Sequence, residues 1–316
     1  MNKKALEMSF SWIFAIIVGA MILVFAVYLA TKLIETSQYG INTETARDFA
    51  NLFEPLQTSI GETSITSRTL IADTRIYTSC NPDGIFGSNK IQLSERSGFN
   101  KEFTLPGGDI TVKNHYVFAE DVVEGKEFYF FTKPFEIPFK TADLMIIYSG
   151  SYCFVNAPDE IKEFVSALEN NTNLFISSSV SKCGNRENMN TVCFAGGSCD
   201  ISVNCYEDSC EGGSIRKDGK EIIFTGGLLY GAIFGSYENY DCNAKRLMNR
   251  LSELSNIYKE KAVFISGRGC TTGLEEDMNN LGALAGKYKK LQDLNAIQEK
   301  AMEIEEKNRN LECQLF

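Results

Sequence analysis

The sequence predicts a mixed α/β (α+β) fold carried on a membrane anchor, and three observations support this prediction. An uncharged apolar run lies near the start of the chain, short β-branched and aromatic runs alternate with helix-like segments through its middle, and ten cysteines follow the apolar run. The chain has 316 residues, of which 44% are hydrophobic, so it can bury a sizeable core.

We divide the chain into five predicted parts. They are a cytoplasmic tip with a transmembrane helix (1–35), a helical stalk (36–70), a β-rich module (71–142), a Cys-rich α/β domain (143–272) and a long C-terminal amphipathic helix (273–316).

The transmembrane helix is predicted from the 24 consecutive uncharged residues between Met8 and Thr31. As an α-helix this run spans about 36 Å, which exceeds the roughly 30 Å hydrocarbon core of a bilayer. A cleaved signal peptide is the alternative, but its apolar region is shorter and ends at a small-residue site, whereas this run continues well past Val18–Ala20. We expect residues 8–31 to contact the lipid bilayer.

The charges on either side of this run predict its orientation. Lys3 and Lys4 precede it, opposed only by Glu7, and Lys32 on the far side is followed by Glu35. The positive-inside rule then keeps the N-terminus in the cytoplasm and exports the chain after about Thr36. The exported part has 28 basic and 39 acidic residues, a net charge that disfavours a nucleic-acid partner.

The stalk and the β-rich module differ in pattern. Apolar residues three and four apart continue over 45–53 and are interrupted at Pro55, which predicts a helix. From residue 71, strand-like runs such as 109–112 and 127–131 are separated by Gly, Pro and Asn turns. The two prolines in 133–139 exclude this stretch from the centre of a sheet, because proline donates no ladder hydrogen bond, so we interpret it as an edge or a connector.

The α/β domain is predicted from a strand at 144–148, a helix from Pro158 to Phe164 and a strand at 174–177, an order that favours a right-handed parallel crossover. Lys217–Lys220 predicts a hairpin turn. The apolar stretch 222–235 is too short to span a membrane, and we interpret it as two buried segments joined at Gly226–Gly227.

The rest of the chain is predicted to be largely helical. Residues 239–259 read as a helix and 262–266 as a strand that returns from it. Residues 274–311 read as one long helix with an apolar stripe. Because the heptad spacing slips near Leu291, this helix is either a coiled coil or packed on its own ectodomain or on the stalk.

All ten cysteines lie on the predicted exported side, and an even count after an export signal favours disulfides. Zinc is the alternative, but the spacings lack the Cys-x-x-Cys pairs of zinc sites. We favour a bond between Cys242 and Cys270, at the two ends of the predicted helix and return strand, with pairing to the 183–210 cluster as the alternative. The disulfide candidates are Cys80, Cys153, Cys183, Cys193, Cys199, Cys205, Cys210, Cys242, Cys270 and Cys313.

Few residues suggest chemistry, and we predict no catalytic, cofactor-binding or metal site. His115 is the only histidine in the sequence, which leaves no material for a histidine metal site. Cys153 follows a strand and precedes a helix, as nucleophiles do in amidotransferase-like and hydrolase folds, although its flanking residues do not fit a nucleophile elbow. Asn170, in the sequon Asn170–Thr172, is the glycosylation candidate.

The segment Lys3-Lys4-Ala5-Leu6-Glu7-Met8-Ser9-Phe10 resembles the N-terminus of archaeal type IV pilin-like proteins, and the likeness covers about 30 of the 316 residues. The body of the chain looks like uncharacterised archaeal single-pass membrane proteins. In the pilin-like family a peptidase cuts before the apolar run and a Glu at the fifth mature position registers filament subunits. A cut after Ala5 would place Glu7 at the second position, so the resemblance implies location in a membrane more than assembly into a filament.

From these observations we expect a membrane-anchored, extracytoplasmic structural or interaction protein of the cell surface, associated with the envelope or with a pilus. The alternative is a membrane-anchored hydrolase or amidotransferase-like enzyme that uses Cys153. Partners are expected at the transmembrane helix, where Ala15/Gly19 and Ala26/Ala30 allow close approach of another helix, and at the C-terminal helix.

Overall fold

The structure is a computed structural model that describes residues 10–52, 65–98, 102–168, 173–184, 189–194 and 196–316. The fold is mixed α/β, with two six-stranded sheets and six α-helices in these ranges. Among the residues predicted to matter, Lys3, Lys4, Glu7, Pro55 and Asn170 lie outside the described residues.

The helices are α1 (Phe10–Asn51), α2 (Asp159–Leu168), α3 (Leu228–Phe234), α4 (Tyr237–Ser266), α5 (Glu275–Gly286) and α6 (Asp293–Arg309). The first sheet contains β1 (Ile65–Asn81), β2 (Ser88–Glu95), β3 (Ile110–Val112), β4 (Tyr116–Phe118), β5 (Val122–Glu136) and β6 (Lys140–Tyr148). The second contains β7 (Ser151–Val155), β8 (Leu174–Ser177), β9 (Met189–Phe194), β10 (Ile201–Cys205), β11 (Gly212–Lys217) and β12 (Lys220–Thr225).

The first sheet has the order β3-β2-β1-β5-β6-β4 and is antiparallel except for the parallel pair β4–β6. Its central strands carry apolar side chains on both faces, because one face packs against α1 and the other against the main core. Phe128 and Phe130 of β5 point to an outer cluster that includes α1, whereas Tyr129 and Phe131 point to the main core.

The second sheet has the order β12-β11-β10-β9-β7-β8, with parallel pairs around β7 and β9 and antiparallel pairs from β10 to β12. The strand-helix-strand unit predicted here exists, but its first strand is Ser151–Val155 and not 144–148, which is part of β6 in the first sheet. Gly150, at φ 78°, makes the turn between them. The predicted boundary at 142/143 therefore cuts through the first sheet.

Helix α3 is the layer that the two sheets share, and all seven of its residues are buried. An added Cβ on Gly231 would lie 2.6 Å from a ring carbon of Phe118 in the first sheet. The stretch 222–235 is indeed two buried segments, β12 and α3, joined at Gly226–Gly227. The predicted hairpin is also confirmed, since Lys217 pairs with Lys220 and both turn residues have positive φ.

The prolines of 133–139 lie where the prediction placed them. Pro134 belongs to β5, which is central over most of its length, but the described part of β1 pairs with β5 only as far as Phe131. Pro134 faces Asp143 of β6 on the other side. In the described part of the chain this end of β5 therefore pairs with β6 alone, so the missing N–H of Pro134 interrupts no described ladder to β1.

Two helical predictions need correction. Residues 262–266 are not a return strand but the last turn of α4, because Ala262 is buried while Val263 and Phe264 are exposed, a pattern that breaks the alternation of a strand. The C-terminal segment is two helices and not one: the side chain of Asp293 accepts hydrogen bonds from the N–H groups of Lys289 and Lys290 in the turn between them. Most of the predicted stripe is buried in the main core, so α5 and α6 pack on the rest of their own domain.

Candidate functional site

Helix α1 continues without a break from the apolar run into a segment that packs on the first sheet. From Trp12 to Asn51 it is long and apolar enough to cross a membrane, and none of its most apolar window is buried against the rest of the chain. The second half of the helix packs on the first sheet through Ala46 and Phe49, whose ring centroid lies 5.4 Å from that of Phe130. The predicted stalk at 36–70 is helical at its start. This helical part packs on the first sheet and does not project from it, and β1 begins within the predicted stalk at Ile65.

This packing is fixed by polar contacts. Asn42 is fully buried, and its Nδ2 donates to Thr104 Oγ1 and to the Leu105 carbonyl oxygen, each at 3.0 Å. The Gly108 N–H donates to Thr43 Oγ1 at 2.7 Å. No sequence pattern singled out Asn42, because its burial depends on a loop more than 60 residues away.

All ten cysteines form disulfides, as the even count predicts. The pairs are Cys80–Cys242, Cys153–Cys183, Cys193–Cys199, Cys205–Cys210 and Cys270–Cys313. The predicted Cys242–Cys270 bond is wrong, because the segment expected to return as a strand stays helical. From Cys242 to the end of α4 at Ser266 the chain advances about 36 Å, which carries Cys270 away from Cys242.

Two of these disulfides lie side by side on the outer face of the second sheet. Cys153 of β7 and Cys193 of β9 are buried together with Val155, and Cys183 and Cys199 are packed against them. Val155 pairs directly with Cys193, which places both strands' cysteines on one face. These cystines cover a surface that no described helix covers.

The enzyme alternative loses its nucleophile in this structure. Cys153 is fully buried and bonded to Cys183, so it carries no thiol or thiolate. His115, its only conceivable histidine partner, lies half-buried between β3 and β4 of the first sheet. Within the described residues no group of three or more His, Cys, Asp or Glu side chains could hold a metal ion.

A buried arginine joins α4 to the first sheet. Arg246 is inaccessible to solvent and donates to the Phe86 carbonyl oxygen at 2.8 Å, to Asn243 Oδ1 at 2.7 Å and to Asn89 Oδ1. Its guanidinium lies 4.7 Å from the ring centroid of Tyr116. Burial lowers the pKa of Arg246 to about 10, so the side chain is still charged at neutral pH. Together with Cys80–Cys242, it fastens this helix to β1, β2 and β4.

A lysine lies on two aromatic rings where the two sheets meet. Lys133 Nζ is 4.4 Å from the ring centroid of Phe164 and 5.7 Å from that of Tyr230. Burial lowers the pKa of Lys133, and it raises the pKa of nearby Glu211, whose ionisation is opposed further by Glu160. The cation lies over one face of each ring, so the cluster joins α2 and α3 to β5.

An open cleft lies between the ends of β5, β6 and β7, with Tyr148, Tyr152 and Phe234 among its lining residues. The two carboxylates at its rim already have partners: Glu120 is paired with Lys217, and Glu124 with Arg75 at 2.8 Å. Burial raises the pKa of Tyr152, which remains a neutral phenol. Among the residues that the structure describes, the two carboxylates of the cleft are thus already paired and form no set of convergent unpaired acids of the kind that catalysis uses.

Comparison with known proteins gives no relative: no family model, no curated protein and no solved structure matches the chain.

Proposed function

We propose that this protein is a membrane-anchored, extracytoplasmic structural or interaction protein of the cell surface, associated with the envelope or with a pilus. Its N-terminus would lie in the cytoplasm and its α/β ectodomain outside. The proposal depends mainly on helix α1. Its apolar N-terminal part is not buried by the rest of the protein, and the same unbroken helix then packs on the first sheet.

The disulfides support the extracytoplasmic part of the proposal. Five bonds using every cysteine suit an oxidising compartment, because thiols in the cytosol are kept reduced. The flanking charges support the orientation, since two lysines precede the apolar run and Lys32 on its far side is paired with Glu35 at 2.8 Å.

The packing of α1 on the first sheet gives the anchor a mechanical role. A helix that is continuous from the bilayer into a packed interface holds the ectodomain in one orientation, whereas a flexible linker would let it rotate freely. The pilin-like N-terminal residues and the pairs Ala15/Gly19 and Ala26/Ala30 fit an anchor that also contacts another membrane helix. Because the C-terminal stripe is buried in its own ectodomain, the transmembrane segment is the better place to look for self-association.

The topology can be tested by adding protease to intact cells that express the full chain. We expect cleavage within the ectodomain without lysis, while a cytoplasmic marker protein stays intact. Complete protection of the ectodomain until the cells are lysed would reverse the orientation. Labelling with a membrane-impermeant maleimide gives a second readout: no cysteine should react before reduction, and ten should react after reduction and unfolding.

A further inference from the structure

A second surface of the ectodomain lies next to the predicted bilayer. The loop Thr104–Gly108, called here the Leu105 loop, contacts α1 shortly after its apolar run. The run is uncharged to Thr31, and exposed apolar side chains continue through Ile34. The first contact with the domain follows at Gln38, whose Nε2 lies 3.2 Å from Glu95 Oε2. Four helical residues separate Ile34 from Gln38, a rise of about 6 Å.

The direction of helical side chains sets the height of the loop. Side chains on an α-helix lean toward its N-terminus, so the groups they touch lie at the level of the preceding turn. In α1 the N-terminus is the membrane side. The Asn42 side chain reaches the Thr104–Leu105 end of the loop, which also bonds to Glu95 beside Gln38 and so lies at about the level of residues 38–41. Gly107 and Gly108 lie farther from the membrane, against Thr43.

The loop cannot move away from α1 without breaking these contacts. Besides the Asn42 and Thr43 hydrogen bonds, Gly107 packs directly on the helix backbone, since an added Cβ would lie 2.6 Å from the Thr43 nitrogen. A larger residue would not fit at Gly107. The height of the loop above the apolar run is therefore fixed by α1 itself.

The side chains that the loop presents suit the interfacial layer of a bilayer. Leu105 is 73% exposed although its main chain is clamped, and Tyr39 beside the loop is 49% exposed. The headgroup layer on each side of a bilayer is about 5–8 Å thick, and the Leu105 end of the loop lies about 6–10 Å past Ile34, in the outer part of that layer. Tyrosine is enriched in this layer because its ring is amphipathic.

We propose that the Leu105 loop lies in the headgroup layer of the bilayer that α1 spans, with the side chains of Leu105 and Tyr39 in contact with phospholipid. This inference rests on the proposed membrane anchoring. The transmembrane helix and the loop would together give two points of attachment, and these would fix the tilt of the ectodomain on the membrane surface.

Tryptophan fluorescence tests the loop directly, because Trp12 is the only tryptophan in the sequence. The full chain is reconstituted in phosphatidylcholine vesicles with or without brominated acyl chains, which quench tryptophan at the bilayer. Three proteins are compared: the unsubstituted chain, W12F/L105W and the control W12F/D48W. Asp48 is exposed on α1 and lies 14 residues past Ile34, about 21 Å farther from the apolar run.

We expect brominated lipid to quench most of the emission of Trp12 and of W12F/L105W, with a blue-shifted maximum, and to leave W12F/D48W unchanged. If Trp12 is quenched but W12F/L105W is not, the loop inference fails and the anchor stands. If Trp12 itself is not quenched, the membrane anchoring fails as well. If W12F/L105W is shielded from both brominated lipid and aqueous acrylamide, another protein surface covers the loop, and the lipid contact is wrong.

Discussion

The outer faces of the two sheets are covered by different means. On the first sheet, α1 contributes Ala46 and Phe49 to a cluster of thirteen buried apolar residues. On the second sheet the corresponding cluster has three buried members, two of which are the disulfide-bonded Cys153 and Cys193. One face is held by buried apolar area and the other mainly by covalent cross-links.

The two outer faces are stabilised differently because the strands of the two sheets differ in length. Four strands of the first sheet have 8 to 17 residues, so a helix that packs across them removes much apolar surface from water. The second sheet has strands of four to six residues, and its outer cluster is small. Cross-links there restrict the unfolded chain instead of adding buried area. The second half of α1 is therefore part of one sheet's core, and the disulfides are part of the other's stability.

Removal of the Phe49 ring is expected to have the largest effect. Phe49 is nearly fully buried and contacts the rings of Phe128 and Phe130. Phe49→Ala should cost about 3–5 kcal/mol, since it removes a large apolar side chain and leaves a cavity. Hydrogen exchange of the full chain in detergent should show lost protection in β5 and β1 while β7 and β9 stay protected.

The matched control is Phe264→Ala, because Phe264 is also a helical phenylalanine but is 58% exposed. It should cost less than about 1 kcal/mol. If Phe49→Ala leaves the first sheet fully protected, α1 does not stabilise that sheet.

Removal of the longer outer disulfide should have a slightly smaller effect and act on the other sheet. Cys153→Ala/Cys183→Ala opens a loop with a sequence separation of 30 residues, and the chain-entropy model gives a loss of about 3–4 kcal/mol. Exchange should accelerate in β7, β8 and β9 and stay slow in β5.

The shorter bridge supplies the comparison for that experiment. Cys193 and Cys199 are six residues apart, so Cys193→Ala/Cys199→Ala should cost less, about 2 kcal/mol in the same model. If removal of a disulfide causes equal loss of protection in both sheets, the outer disulfides do not stabilise the second sheet independently of the first.

Local patterns in the sequence were enough for much of the fold. The apolar run, the hairpin at Lys217–Lys220 and the joint at Gly226–Gly227 each depend on residues close together in the chain, and the structure has all three. The cysteine count predicted cystines for a similar reason, because it needs composition and no geometry.

The predictions that failed depended on distant packing. The residues from Ala262 to Ser266 suit a strand or a helix by composition, and only the core behind Ala262 decides between them. That choice moved Cys270 away from Cys242 and made the predicted bond wrong. Asn42, Lys133 and Arg246 were missed because their partners lie on elements far away in the chain.

A change in the shared layer should affect both sheets equally. Gly231 of α3 has no room for a methyl group, since an added Cβ would lie 2.6 Å from Phe118. Gly231→Ala should cost about 1–3 kcal/mol through overpacking, and β6 and β12 should lose protection to similar extents. Gly219→Ala is not a suitable control because of its positive φ, so Gly267→Ala serves instead: Gly267 has φ -64° and an added Cβ would lie no closer than 3.6 Å to another atom. Loss confined to one sheet would show that α3 belongs to that sheet alone.

The smallest predicted effect concerns an ion-pair cluster between α5 and α6, away from the outer faces of both sheets. Asp277 of α5 is bound by Lys300 of α6 at 2.6 Å and by Lys307 at 2.9 Å. Burial of Asp277 opposes its ionisation, but the two lysine hydrogen bonds outweigh burial and lower the pKa of this carboxyl. A carboxyl whose pKa is lowered by folding stabilises the fold above its ordinary pKa and loses that stabilisation as the pH falls through the lowered value.

Asp277→Asn should therefore cost about 1–2 kcal/mol at pH 7, a range that allows for the half-exposed Lys307. The cost should shrink as the pH falls below the ordinary Asp pKa and through the lowered pKa of the wild-type carboxyl, so urea unfolding curves of the two proteins should approach each other in acid. Apolar burial and disulfides do not titrate in this range, and for this reason the difference between Phe49→Ala and the wild type should be the same at pH 7 and near pH 3. If the separation between the Asp277→Asn and wild-type curves stays constant from pH 7 to acid well below the ordinary Asp pKa, the contact between α5 and α6 is apolar and not ionic.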